Sequence, residues 1–220
     1  MTKLVARPGL VLVILAGLFV RTARWRPALP ASVLARRRHG SLDVMADSER
    51  RALRPIGMSA YEAAARTDVL LLDLAVPDLR IFQGLRAGDH GEPPIGHAVN
   101  AGRQVVLIDS VAWPSGRYSA SNHGLVHCDG TYIGQSVTPL LDAVSHWRRR
   151  LPRGHQVSAL VVVHAIDLAG PLSLPAPAPD LGWACAADAL RNVKARLGRR
   201  QRRVGGQAVA ALAAAVGETW

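Results

Sequence analysis

The residue with the clearest capacity for chemistry is Asp109. It follows Val105 to Ile108 directly, an apolar and mostly β-branched run of the kind that forms a strand buried on both faces. Burial makes an ionised carboxylate costly unless a cation, a metal ion or backbone N–H groups satisfy it. Asp109 is therefore either an acid placed for chemistry or a structural carboxylate that caps nearby N–H groups, and the second reading is favoured. Trp113-Pro114-Ser115-Gly116 then turns the chain. Other groupings carry less. His123, His127, Cys128 and Asp129 are metal-ligand types, but their spacing fits no zinc pattern and His123 falls in an expected turn. Gly134-Gln135-Ser136 lacks the second glycine of a nucleophile elbow, which leaves Ser136 as a loop or cap residue. Trp147 reads as core, and Trp113 as either packing or an exposed contact. The sequence contains no Walker loop and no dinucleotide fingerprint.

The elements that must position Asp109 can be read in order. Ser59 is an expected N-cap, and Tyr61 to Leu74 an expected helix that Pro77 ends. Leu79 to Leu85 alternates as a strand, and Ala87 to Pro94 is a loop. Ile95 to Val99 and Gln104 to Val111 form a hairpin around Asn100-Ala101-Gly102. Arg117 to Ser121 and Leu125 to Cys128 form a second one. Thr138 as N-cap and Pro139 at the first helical position open a helix whose Leu140, Val144, Trp147 and Leu151 make one apolar stripe. Val157 to Ile166 is a second buried strand. Leu172 to Leu174 and Leu181 to Ala184 are short edge strands, and Ala186 to Leu197 and Val204 to Val216 are helices. The fold class is α/β, a central mixed sheet flanked by helices.

With 220 residues and 49% hydrophobic content the chain can bury one full core. Its net charge of +11 is unevenly spread. Residues 1–54 hold 11 basic and 3 acidic side chains, residues 55–190 hold 9 and 12, and residues 191–220 hold 7 and 1. The basicity sits in the flanks, which suits anionic lipid or a solvated tail at least as well as nucleic acid. Cys128 and Cys185 form neither a disulfide framework nor a metal spacing, so a reducing compartment is the default.

Gly9 to Val20 is uninterruptedly apolar, and Arg21, Arg24 and Arg26 follow at once. A signal peptide and a buried core helix are the rival readings. The flanking arginines favour a membrane anchor with the C-terminal side in the cytoplasm. The expected organisation is an anchor over 1–27, a basic linker with a short helix at Asp47 to Leu53 over 28–56, one domain over 57–198 and a basic, Ala-rich helix over 199–220.

Ile95-Gly96-His97-Ala98-Val99, followed by Leu107-Ile108-Asp109-Ser110-Val111, resembles the nuclease-related (NERD) domain, a branch of the restriction-endonuclease-like PD-(D/E)XK fold. The resemblance covers roughly residues 57–197, and the order helix, strands, acid-bearing strand, helix, strand accords with it. It implies a metal site in which Glu62 is the helix acid, although Tyr61 precedes it where the family has Gly. His97 keeps the histidine of the strand motif, but Gly96 stands where the metal-binding Asp belongs. Asp109 keeps the second strand acid, but Val111 replaces the Lys. Pro139 is kept, and Asp142 replaces the Gln. The candidate site is then Glu62, Asp109 and Asp142, with Glu62 and Asp109 as metal ligands and His97 beside them. Hydrolysis of a phosphodiester by this fold needs a divalent ion, Mg2+, between two strand acids and a lysine for the water. With Gly96 and Val111 two of those roles are vacant.

The expectation is a membrane-tethered, catalytically inactive nuclease-related domain that binds a partner. An active Mg2+-dependent nuclease with a rearranged site is one alternative, and a structural protein without a small ligand is the other. Partners in view are an anionic membrane surface, nucleic acid through the basic flanks, and a protein of unknown identity. Carbonate extraction of cells checks the anchor: the full-length chain should stay with the membrane pellet, and its release into the soluble fraction would remove the anchor reading.

Overall fold

The computed structural model describes residues 37–45, 58–74, 76, 78–86, 94–167, 170–198 and 205–217. The expected anchor, most of the linker with its Asp47 to Leu53 helix, and the loop 87–93 lie outside the described residues. Among the described residues no helix is long and apolar enough to cross a membrane.

Among the described residues the main strands and α-helices follow one another as β1 (Arg38–Gly40), α1 (Ala60–Leu72), β2 (Arg80–Leu85), β3 (Ile95–Ala101), β4 (Gln104–Trp113), β5 (Gly116–Ala120), β6 (Leu125–Cys128), β7 (Thr131–Ser136), α2 (Thr138–Arg150), β8 (Gln156–Ala165), β9 (Leu172–Ser173), β10 (Leu181–Cys185), α3 (Ala189–Leu197) and α4 (Gly206–Ala215). Six strands form the central sheet in the order β1-β2-β3-β4-β8-β10. β2, β3 and β4 pair antiparallel, while β4 with β8, β8 with β10 and β1 with β2 pair parallel. The mixed α/β sheet flanked by helices is thus present.

The sheet is buried on both faces, as the apolar runs of β4 and β8 require. Val105, Leu107 and Trp113 of β4, with Val157, Ala159, Val161 and Val163 of β8, pack under α2, α4 and the inner residues Tyr118 and Val126 of the small sheet. Val106, Ile108, Leu160 and Val162 point the other way, against Leu71 of α1 and Val193 and Leu197 of α3. The small sheet runs β7-β6-β5-β9.

Local chemistry sets the helix boundaries. Ser59 caps α1 through a capping box, its Oγ accepting from the Glu62 N–H while the Glu62 carboxylate accepts from the Ser59 N–H at 2.9 Å. At α2 the cap falls one residue earlier than expected, on Val137. Thr138 instead donates its hydroxyl to the His123 carbonyl and its N–H to Ser136 Oγ. All four stripe residues of α2 are buried, and Trp147 is fully so.

Three features depart from the sequence reading. β1 lies inside the expected linker and extends the central sheet, because His39 and its neighbours run parallel to β2. This strand can follow β2 so closely because Gly84 has φ +65°, and a Cβ there would lie 2.4 Å from the Ser41 carbonyl oxygen. β7 went unread since its Gly134 interrupts an otherwise short, polar run. Finally, α4 is no appendage: Leu212, Ala208 and Ala213 are fully buried against the β2 side of the core, and the Arg86 N–H donates to the Ala215 carbonyl. Leu212→Ala should therefore cost about 3 kcal/mol in urea unfolding, as for a central Leu. A cost under about 0.5 kcal/mol would return α4 to the status of a tail.

Candidate functional site

The central sheet separates the residues that the sequence placed together. Asp109 shares its face of β4 with Leu107 and Val111, and opens onto a crevice of about 120 Å³ lined by Trp113, Gln135, Pro139, Leu140 and Val161. That is the α2 side. His97 pairs with Ile108 in the β3–β4 ladder and is fully buried under α1, its Nε2 3.6 Å from Asp68 Oδ1. Glu62 is exposed on the first turn of α1, where its carboxylate is engaged by the Ser59 N–H. Asp142 is exposed on α2 and does not line the Asp109 crevice. The four side chains do not converge, and no single ion can bridge Glu62, Asp109 and Asp142 through the sheet. The vacant position is displaced as well: a Cβ at Gly96 would meet the Ala64 Cβ at 3.4 Å and Met45 Sδ at 3.7 Å, under α1.

Asp109 is also not at a strand end, since β4 continues to Trp113. Its carboxylate accepts the Ser110 N–H at 3.0 Å. Burial pushes its pKa up to about 6, and that one hydrogen bond only partly offsets the effect. This is the local N–H acceptor that the structural reading of Asp109 anticipated, in a setting that disfavours the charge.

What the structure does assemble is a polar cluster between α1 and the sheet that the sequence reading missed. Asp68 on α1 is paired with Arg38 of β1 and accepts from Gln83 Nε2 of β2 at 2.6 Å. On the adjacent residue of α1, Thr67 Oγ1 lies 2.8 Å from both Ser110 Oγ of β4 and His164 Nε2 of β8. Burial works to raise the Asp68 pKa, but His97, the Arg38 charge and the Gln83 hydrogen bond outweigh it and hold the carboxyl below its usual value. Burial, helped by the charge of Arg66, lowers the pKa of His164. Both ring nitrogens of His97 are sealed from solvent, and among the described residues the Asp68 carboxylate stands 3.6 Å from Nε2, just beyond normal hydrogen-bond length. The signal for this cluster was in the sequence: Thr67-Asp68 interrupts the buried stripe of α1, and Gln83, Ser110 and His164 each interrupt an apolar strand.

The remaining sequence candidates are structural. Trp113 is buried, stacked on Tyr118 at 4.3 Å, and its indole N–H donates to Gln135. Ser136 accepts the Thr138 N–H, the cap-like role expected of it. Among the described residues no three His, Cys, Asp or Glu side chains are gathered as a metal site would gather them.

A different concavity lies on the small sheet. β5 is paired with β6 from Tyr118 to Ala120, but with β9 only at Gly116–Leu172 and Arg117–Ser173. Beyond Ser173 the chain reads Leu-Pro-Ala-Pro-Ala-Pro-Asp, and Pro175, Pro177 and Pro179 lack the N–H that a ladder needs. Pairing stops there, and a groove of about 710 Å³ opens between β5 and this segment over Val137, Leu141, Leu181 and Trp183. The Ser121 N–H donates to Leu125 and the Arg117 carbonyl accepts from Asp129, so odd-numbered residues of β5 address β6. Ladder alternation then turns the N–H and C=O of Ala120 toward the groove.

Compared with protein-family models, curated proteins and solved structures, the chain matches none of them.

The raised pKa of Asp109 fixes a sign. Its protonated form is favoured by the fold, so its contribution to stability is full below about pH 4 and is lost as pH rises through about 6. Asp109→Asn keeps the acceptor for Ser110 and removes the charge. It should raise stability at pH 7.5 by about 2 kcal/mol and flatten the change between pH 4 and 7 in thermal unfolding. Asp68 has the opposite sign: its contribution is present at neutral pH and lost as pH falls below about 4. Asp68→Asn should cost about 1–2 kcal/mol at pH 7, reduced from a fully buried pair because Arg38 is partly exposed.

Proposed function

We propose that this chain is a binding module, without nuclease chemistry, built on a nuclease-related lineage and tethered to the membrane by residues 1–27. The observation that carries the reading is the separation of Asp109 from Glu62 and His97 by the central sheet. Hydrolysis by two carboxylates and a metal needs those oxygens within one coordination sphere. The order α1, β2, β3, β4, α2, β8 supports the lineage, since it is the order that the resemblance to the NERD domain implies. What the chain offers a partner is the open edge of β5. Unpaired backbone groups at a strand edge, over an apolar floor, accept an extended polypeptide as an added strand. Arg117 and Asp180 stand among the groove residues, and Asp180 is already paired with Arg148.

Two experiments test the two halves of this reading. Purified protein should not cut DNA or RNA with Mg2+ or Mn2+, and neither should Gly96→Asp/Val111→Lys, because a side chain at 96 would start beside Ala64 under α1 while 111 lies on the α2 face. Metal-dependent cleavage by the wild type that Asp109→Ala abolishes would overturn the non-catalytic half. For the binding half, peptides selected from a displayed random library should bind the wild type and lose at least tenfold in affinity to Ala120→Pro. That change removes the edge donor while leaving the β5–β6 ladder intact. Selected peptides that bind both forms equally would exclude strand addition at β5.

A further inference from the structure

The charge tally by segment hides a local concentration of arginine within the folded core. β4 and β8 begin side by side, with Gln104 Nε2 donating to Gln156 Oε1 across the first pair of the ladder. α2 ends at the same rim in Arg148-Arg149-Arg150, Arg153 follows in the turn, and Arg103 from the β3–β4 turn lies against Gly154. α3 brings Arg196 in its last turn. Together they border a hollow of about 500 Å³ whose lining residues include Gln104, Arg148, Gln156, Ser158 and Arg196, with Asp180 as the single carboxylate.

The two arginines in the hollow differ in kind. Arg148 is fully committed, donating to the Val157 carbonyl and to both carboxylate oxygens of Asp180. The hydrogen bonds of Asp180 thus go to Arg148, and only its longer-range charge reaches Arg196. Among the described residues Arg196 makes no hydrogen bond or close ion pair, although it is half-buried and lies so close over β10 that a Cβ at Gly182 would sit 2.1 Å from its Nη2. Glycine at 182 is what leaves the guanidinium its berth. Two guanidinium groups therefore share one carboxylate, and a half-buried cation so incompletely balanced is an unfavourable arrangement that a bound anion relieves. The helix dipoles do not supply this attraction, since α2 and α3 both end here, at their negative poles. Side chains must carry it, and the fork of a guanidinium fits a tetrahedral oxyanion. Ser158 and the free amide of Gln156 add neutral donors beside it.

We propose that this hollow is a phosphate-binding site, with Arg196 as its principal ligand and Gln156 and Ser158 beside it. It is separate from the β5 groove and does not depend on the function proposed above. Free phosphate and a phosphate within a chain share this chemistry, and the probes below distinguish them. Arg103, Arg149, Arg150 and Arg153 on the rim would extend the contact along a chain of phosphates, a contribution that falls steeply with salt.

Titration of the full-length protein with inorganic phosphate, pyrophosphate and a twelve-nucleotide single strand, followed by calorimetry, tests the site. At least one of the three should bind, and Arg196→Gln should weaken that binding about tenfold or more. Gln156→Glu provides a second variant at an exposed position, where folding is not at risk, and its carboxylate should repel the same probe. Binding of inorganic phosphate that both variants lose identifies a free anion as ligand. Binding confined to the oligonucleotide, and lost in both variants, identifies a phosphodiester. No binding of any probe by the wild type overturns the proposal. So does oligonucleotide binding that survives in both variants and disappears only on replacing Arg149 and Arg150, since the contact would then be the solvated rim and not the hollow.

Discussion

The parallel pairing of β4 with β8 governs the rest of the molecule. Ten residues of one strand run in register with ten of the other, from Gln104 opposite Gln156 to Trp113 opposite Ala165. Because side chains alternate along both strands, this pair divides the interior into two cores that do not communicate through the sheet. Every helix must choose a face, and every polar side chain on these strands is committed to one by the parity of its number. Asp109 and Ser110 are adjacent in sequence and yet belong to different environments. One is a charge held in an apolar crevice, the other a hydroxyl in the Thr67–His164 chain of hydrogen bonds.

That parity explains what could be read from the sequence and what could not. The strand runs, both hairpins, the Ser59 cap and the α2 stripe were legible because each rests on local periodicity or cap chemistry. The site was not. Motif spacing places Glu62, His97, Asp109 and Asp142 along the chain, but whether they meet depends on which face each strand turns inward near Gly84 and Gly96, where the ladder is irregular. β1 was hidden for another reason. Arg38–Gly40 carries no strand signature and is recruited by the exposed edge of β2 and by the ion pair of Arg38 with Asp68.

The polar cluster and the basic hollow show two ways of keeping charge inside a fold. Around Asp68 the charge is matched, with a cation and an amide arriving from two different strands. A matched group of this kind fixes geometry more than it adds stability, because the cost of desolvation nearly cancels the attraction. It locks β1 and β2 onto α1 in a way that hydrophobic contact alone would leave loosely specified. At the opposite end of the sheet one pair is matched, Arg148 with Asp180, and one arginine is left over. The same residue type is cement in one place and a receptor in the other, and the difference lies in whether each arginine has a carboxylate to itself.

The docking of α4 has a consequence for how the chain acquires its shape during synthesis. Phe82 and Leu85 of β2 are covered by residues that follow them by more than a hundred positions, Ala208 and Leu212 among them. A ribosome delivering the chain from its N-terminus exposes β2, β3 and β4 long before their cover emerges. Until then the apolar flank of β2 must stay bare or be shielded by a chaperone. Any premature stop ahead of residue 206 would leave that flank permanently open, and truncated chains would be marked for aggregation or degradation by one uncovered patch.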